Sequence, residues 1–184
     1  MKKMALIALA GMAALVAGGL TAGAAGLRLN TTTSLPLGLY RIAPLDAAGP
    51  KRGELVVFCL PEAGAAASQA VARAYLPKGK QWGRDACPHG LAPLMKPVVA
   101  LPGDTVADAG PYGLAVNGAV LPNSARVEHD PRGRPLAKPA RTTYTVAAGQ
   151  LVAVAPESGS FDSRYLGPVP FSALRGAAVP LLTW

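Results

Sequence analysis

The sequence predicts one mostly β domain standing behind a single N-terminal membrane helix, and three observations predict it. Gly (21) and Pro (18) are plentiful in a chain of 184 residues, so turns should be frequent and long helices few. Beyond position 28 the apolar residues fall in short β-branched or alternating runs rather than at helical spacing. Before position 28 lies a long uncharged stretch with cationic flanks.

That stretch covers residues 4–27, preceded by Lys2 and Lys3 and ended by Arg28. Roughly 20 apolar residues cross a bilayer as a helix, so its length suits a membrane anchor. Lys2, Lys3 and the amino terminus outweigh Arg28, which predicts a cytoplasmic N-terminus and an exported remainder, periplasmic in a Gram-negative cell. The small residues Thr21-Ala22-Gly23-Ala24-Ala25 also allow a cleaved secretory signal. Both readings export the domain and divide the chain into a membrane anchor or signal segment at 1–28 and an external β-rich domain at 29–184; the anchor, favoured by length, places it at the inner membrane.

The domain elements follow in order. Residues 29–35 read as an extended, Thr-rich linker, 38–42 as a strand, and 44–53 as a turn-rich loop. The run 54–60 is compact and β-branched, as in a buried strand. Residues 63–74 are alanine-rich and predict a short helix. A Gly/Pro loop at 77–93 leads to a strand at 96–100, turned by Leu101-Pro102-Gly103-Asp104. Asn117-Gly118 between apolar residues predicts a tight hairpin within 114–121. Residues 123–138 form a polar excursion with a turn at Asp130-Pro131-Arg132-Gly133. The runs 142–146 and 150–155 read as strands paired with each other, and 179–184 as a closing strand.

Composition narrows the function. The chain is 51% hydrophobic and 15% charged, which excludes a disordered tail. Its net charge is +8, but no block of Lys or Arg carries interleaved aromatics, so no nucleic-acid partner is expected. Acidic lipid headgroups at the inner membrane suit this charge better. Cys59 and Cys87 in an exported domain are expected to pair, two buried thiols being the alternative. His89 and His129 lack paired ligand spacing, so neither a metal nor another cofactor is expected.

Three segments carry chemistry: Thr32-Thr33-Ser34-Leu35-Pro36-Leu37-Gly38, Lys96-Pro97-Val98-Val99-Ala100-Leu101-Pro102-Gly103-Asp104, and Ser160-Phe161-Asp162-Ser163-Arg164-Tyr165. A serine hydroxyl is a poor nucleophile and needs a base beside it. Lysine serves only if its pKa falls from about 10.4 toward 7 or 8, which burial among apolar groups can achieve. Lys96 stands beside Met95, Val98 and Val99, in a run that should be half or fully buried. The alternative is a lysine that ends its strand and points to solvent.

Taken together and in this order behind an N-terminal anchor, the segments resemble the type I signal peptidases of the Ser-Lys class, in particular their conjugative-transfer, TraF-type branch. Ser34 to Tyr40 resembles that branch's nucleophile box. Lys96 precedes the Pro-Gly-Asp turn as the family's lysine does, and Ser160 to Arg164 matches the family's last box. Cys59, Cys87 and Gly133-Arg134-Pro135-Leu136 are also similar to TraF-type sequences. Two positions depart from the general form. Val154-Ala155-Pro156 stands where Gly-Asp-Asn is usual, and Pro97 stands where Arg is usual; both fit a specialised branch.

The resemblance implies a signal-peptidase-type β domain with Ser34 as nucleophile and Lys96 as general base. It further implies an oxyanion hole from the Ser34 amide and the Thr32 hydroxyl, with Ser160 orienting Lys96 and an Asp162–Arg164 ion pair in support. If residues 31–34 are extended, Thr32 and Ser34 share a face and Thr31 and Thr33 do not. The implied substrate is an exported preprotein with small residues before the cut, specifically a conjugative pilin precursor, whose new ends some members of the branch join into a ring. Mating-pair formation proteins are the implied partners. A general signal peptidase, and an inactive structural component of a secretion or conjugation apparatus, are the other readings.

Overall fold

A computed structural model of the chain describes residues 11–12, 25–78, 87–139 and 141–184. The expected anchor therefore lies outside the described residues apart from positions 11–12 and 25–28, as does most of the 21–25 cleavage motif. Among the described residues no helix is long and apolar enough to cross a membrane.

The described residues form a mostly β domain of two sheets. Eleven strands appear in chain order: β1 (Leu27–Asn30), β2 (Gly38–Ala43), β3 (Leu55–Phe58), β4 (Leu94–Ala100), β5 (Thr105–Asp108), β6 (Leu114–Val116), β7 (Ala119–Val120), β8 (Thr143–Thr145), β9 (Gln150–Ala153), β10 (Val169–Pro170) and β11 (Leu174–Thr183). Helix α1 (Ala65–Ala72) follows β3, and a single turn, α2 (Ser163–Leu166), follows β9. One sheet has the order β1-β2-β11-β3-β4-β9-β10 and the other β7-β6-β5-β8; every pairing is antiparallel.

Local sequence explains most of these elements. β3 lies between β11 and β4, and Val56, Val57 and Phe58 are all buried, as a continuous apolar run requires. In β4 burial alternates along the strand, so Leu94, Lys96, Val98 and Ala100 share the buried face. Asn117 and Gly118 both take positive φ (50° and 84°), the geometry of a two-residue hairpin turn. Asp104 holds the turn after β4, accepting from the Leu101 amide, Arg52 and Asn117. In α1, Ala66, Ala67 and Ala70 are buried on one face.

Three expectations change. The runs 142–146 and 150–155 are not partners: β8 pairs with β5, and β9 pairs with β4 and β10. The chain crosses between the sheets here. Val146 from one side and Val152 and Val154 from the other fill one core with Ala100, Val106, Leu114 and Val116. The closing strand begins at Leu174 rather than Val179 and lies between β2 and β3. Its first half, Leu174-Arg175-Gly176-Ala177-Ala178, lacks β-branched residues, yet the Ala43 carbonyl comes too close to Gly176 for any side chain there. Residues 29–35 are not an extended linker: β1 pairs with β2 along Leu27–Asn30, and a turn follows.

The polar excursion folds back onto α1. Buried Asp130 accepts from the amides of Arg132 and Arg134, from Arg134 Nε at 2.7 Å and from the Tyr75 hydroxyl at 2.7 Å. Gln69 of α1 donates to the Pro135 carbonyl and accepts from the Ala137 amide.

Cys59, just after β3, is disulfide-bonded to Cys87 with Cα atoms 5.3 Å apart. The bridge spans 28 positions, and closing a loop of that length in the unfolded chain corresponds to about 3–4 kcal/mol in the chain-entropy treatment. Reduction of the purified domain is expected to lower its melting temperature by several degrees. The same melt with and without reductant, monitored by circular dichroism, checks this, and an unchanged transition would refute it.

Candidate active site

The turn that carries Ser34 is built by its neighbours. Asn30, the last residue of β1, donates from Nδ2 to the carbonyls of Thr32, Leu35 and Pro36 at 3.0, 3.2 and 3.0 Å. Its Oδ1 accepts from the Thr32 amide and from the Thr32 hydroxyl at 2.8 Å. One amide side chain thus organises residues 32–36, the local competition with regular structure that Asn favours. Buried Tyr40 donates its hydroxyl to the Pro36 carbonyl, and Trp184 donates its amide to the Leu37 carbonyl. Gly38 has a positive φ and lies against the Leu182 and Thr183 backbone, where a Cβ would collide. Ser34 is left half-buried at the tip of the turn.

Lys96 reaches that tip from the middle of β4. It pairs across the sheet with Val56 and is only 5% exposed, so it does not end its strand in solvent. Its Nζ donates to Ser34 Oγ at 2.7 Å. Burial lowers the pKa of the amine to about 8; the Asp162 carboxylate pulls it up and the Arg164 guanidinium pushes it down, both less than burial does.

The third segment is held by a buried ion pair. Asp162 and Arg164 are both 0% exposed, with Arg164 Nε 2.9 Å from Asp162 Oδ1. Asp162 caps α2 by accepting from the Arg164 amide, and its Oδ2 accepts from the Ala155 amide. Arg164 donates to the carbonyls of Asn123, Ala125, Ala155 and Ser158. The loop 155–160 and the start of the polar excursion therefore wrap one guanidinium. The pair is structural in its wiring, and losing either member would strand a buried charge at a cost of about 3–5 kcal/mol.

Ser34, Lys96 and Ser160 line one cavity of about 550 Å³. Its apolar wall includes Leu94, Met95, Tyr75 and Phe161, the last two in edge contact with centroids 5.6 Å apart. Ser160 Oγ is buried and has no hydrogen-bond partner, so the expected bond to Lys96 is not formed here. Thr32 is exposed and lines the same cavity, as do Thr31 and Thr33. The segment is a turn, so strand alternation does not separate the three threonines. What distinguishes Thr32 is its bond to Asn30.

Two residues near the site escaped the sequence reading. Asn30 organises the Ser34 turn, and an Asn just before a Thr/Ser-rich turn is the signal that could have found it. Glu157 lines the cavity beside Ser160, at a position where the sequence offered only an irregular loop. Among the described residues no group of three or more His, Cys, Asp or Glu is placed to hold a metal.

The sequence profile of the signal peptidase family, peptidase S26, matches residues 2–184. A plasmid transfer protein TraF from Escherichia coli is 39% identical over 183 residues, covering 97% of this chain and 94% of the relative. A conjugal transfer protein TraF from Agrobacterium fabrum is 37% identical over 186 residues, covering 100% and 99%. Among solved structures, a signal peptidase I from Enterococcus faecalis aligns with a TM-score of 0.38 at 19% identity, covering 70% of this chain and 95% of that one.

Keeping a lysine whose pKa has fallen from 10.5 to about 8 costs the fold about 3 kcal/mol wherever the amine is protonated. Because the folded pKa lies below the unfolded one, this cost is full below pH 8 and fades as pH rises toward 10.5. Lys96→Met is therefore expected to raise the melting temperature by several degrees at pH 6 and by much less at pH 10. Melts at the two pH values check it; an equal or negative shift at pH 6 would refute the burial cost.

Proposed function

The chain belongs to the signal peptidase family, peptidase S26, and from that premise we propose that it is a membrane-bound serine endopeptidase that matures an exported precursor through a Ser34–Lys96 dyad. The observation that carries this reading is the 2.7 Å hydrogen bond between Lys96 Nζ and Ser34 Oγ, made by an amine whose pKa is lowered to about 8.

In this mechanism neutral Lys96 accepts the Ser34 proton as Oγ attacks the scissile carbonyl. The Ser34 amide and the Thr32 hydroxyl hold the developing oxyanion; Thr32 does so by turning its hydroxyl from Asn30 toward the cavity. The Lys96 ammonium gives its proton to the departing amine, leaving an acyl group on Ser34. Water, deprotonated by Lys96, then releases the acid. Ser160 is the buried hydroxyl available to hold the amine between these transfers, since its Oγ has no other partner. Asp162 and Arg164 position this loop and touch no reacting atom.

The substrate proposed is a conjugative pilin precursor with small residues before the cut, acting beside mating-pair formation proteins. The names of the relatives, plasmid and conjugal transfer proteins TraF, support this choice. The proposed location is the inner membrane, with a cytoplasmic N-terminus and a periplasmic domain. It is supported by exposed apolar residues on β1 and on the end of β11, namely Leu29, Val179, Leu181 and Leu182, together with Trp184 just beyond it. They stand close to the nucleophile turn and to the point where the chain enters the domain.

Two outcomes test the dyad and the oxyanion hole. Ser34→Ala and Lys96→Arg are expected to abolish cleavage of the precursor, the second because arginine stays protonated. Wild-type kcat/KM should rise about tenfold per pH unit up to roughly pH 8 and level off above it. A flat profile between pH 6 and 9, or an active arginine variant, would remove Lys96 as base.

Thr32→Val is expected to cut kcat about a hundredfold with little change in KM, and Thr32→Ser to retain most activity. Thr33→Ala should be mild. Steady-state kinetics of the three variants check this, and a Thr32→Val enzyme near wild type would end the oxyanion assignment.

A further inference from the structure

A second depression, of about 340 Å³, adjoins the main cavity at Ser34. It is lined by Leu35, Pro36, Leu37, Pro156 and Trp184, with Thr33, Ser34 and Glu157 common to both depressions. Glu157 carries the only charged side chain lining the second depression and the only side-chain carboxylate lining either, among the described residues.

In a protein of net charge +8, the carboxylates of Asp46, Asp104, Asp108, Glu128, Asp130 and Asp162 each take a basic side chain as partner. Glu54, Glu62 and Glu157 take none among the described residues, and of these three only Glu157 lines the depressions at Ser34. Its Oε1 accepts only long local bonds, from the Ser158 hydroxyl at 3.4 Å and the Gly159 amide at 3.3 Å. Its backbone is nevertheless fixed: Ser160 N donates to the Glu157 carbonyl, and Arg164 holds the flanking carbonyls of Ala155 and Ser158. The negative charge is half-buried and held in place beside the nucleophile.

We propose that Glu157 forms a subsite for a cationic side chain, lysine or arginine, carried by the substrate strand where it passes over the second depression. An extended peptide advances about 3.3 Å per residue, so the cation belongs within about three residues of the scissile bond. The peptide's small residue before the cut and its cation would then be read in the two adjoining depressions that share Ser34. The proposal rests on the peptidase reading above and adds a charge requirement to it.

Peptides with alanine before the cut, carrying Lys, Gln or Glu in turn at each of three positions on either side, provide the test with the full-length enzyme. For each position the ratio of kcat/KM for the Lys and Glu peptides is measured in wild type, Glu157→Gln and Glu157→Lys. The ratio cancels any general loss of activity in a variant. Wild type is expected to favour Lys over Glu by about fivefold at one or two positions at low ionic strength, the size of a partly exposed ion pair, and less so in high salt. In Glu157→Gln the ratio should fall toward one, and in Glu157→Lys it should invert. Cleavage with the same ratio in wild type and Glu157→Lys at every position overturns the subsite and leaves the peptidase reading intact. Cleavage of no peptide, with no labelling of Ser34 by a serine-reactive acyl probe, overturns both.

Discussion

Everything at this site depends on keeping one lysine amine out of water within reach of one hydroxyl. A free amine at neutral pH is the scarce species, and burial raises its share by penalising the ammonium. The same burial opposes folding, because the protonated amine has no carboxylate bonded to it. The domain tolerates this through a rigid surround. Lys96 sits mid-strand opposite Val56, beside a core that includes Phe58, Val98 and Leu151. A loose core would admit water and let the pKa return toward its ordinary value.

The Asp162–Arg164 pair plays the complementary part. Two full charges are placed beside the lysine and act on it in opposite senses, the carboxylate raising the Lys96 pKa and the guanidinium, by less, lowering it. What the pair contributes is wiring. A single guanidinium satisfies four carbonyls from two loops and so fixes Ser160 and Glu157 relative to β4. An apolar residue could fill the space but could not satisfy those carbonyls.

Much of this was legible in the sequence, for physical reasons that differ by element. β3 and the Asn117-Gly118 hairpin announce themselves through β-branched packing and turn chemistry, which are local. Lys96 is unusual as a lysine inside an apolar run, whereas Ser34, between Thr33 and Leu35, is ordinary on its own and is marked only by the resemblance of the three segments taken together. The separation of β8 from β9, and the central position of β11, were not legible. Both are decided by which core each strand fills, and Gly176 and Ala177 carry no strand preference of their own. Asn30 is a different case: its five side-chain bonds all reach residues 32–36, so its signal is local, an Asn before a Thr/Ser-rich turn, but that signal does not by itself say which turn will form. The three adjacent threonines misled for a related reason: alternation assumes an extended chain, and Asn30 makes a turn of it.

The insertion of β11 between β2 and β3 also sets an order of events. β2 and the turn it supports lie near the start of the domain, whereas the partner that completes β2, and the Trp184 amide that ties Leu37, arrive last. A chain delivered N-terminus first must therefore hold its nucleophile segment unfinished until almost every residue has been delivered. Long-range pairing of this kind delays folding. Under the proposed function the delay would act as a safeguard, since a chain without β11 lacks both the strand that completes β2 and the Trp184 bond to Leu37 beside the Ser34 turn.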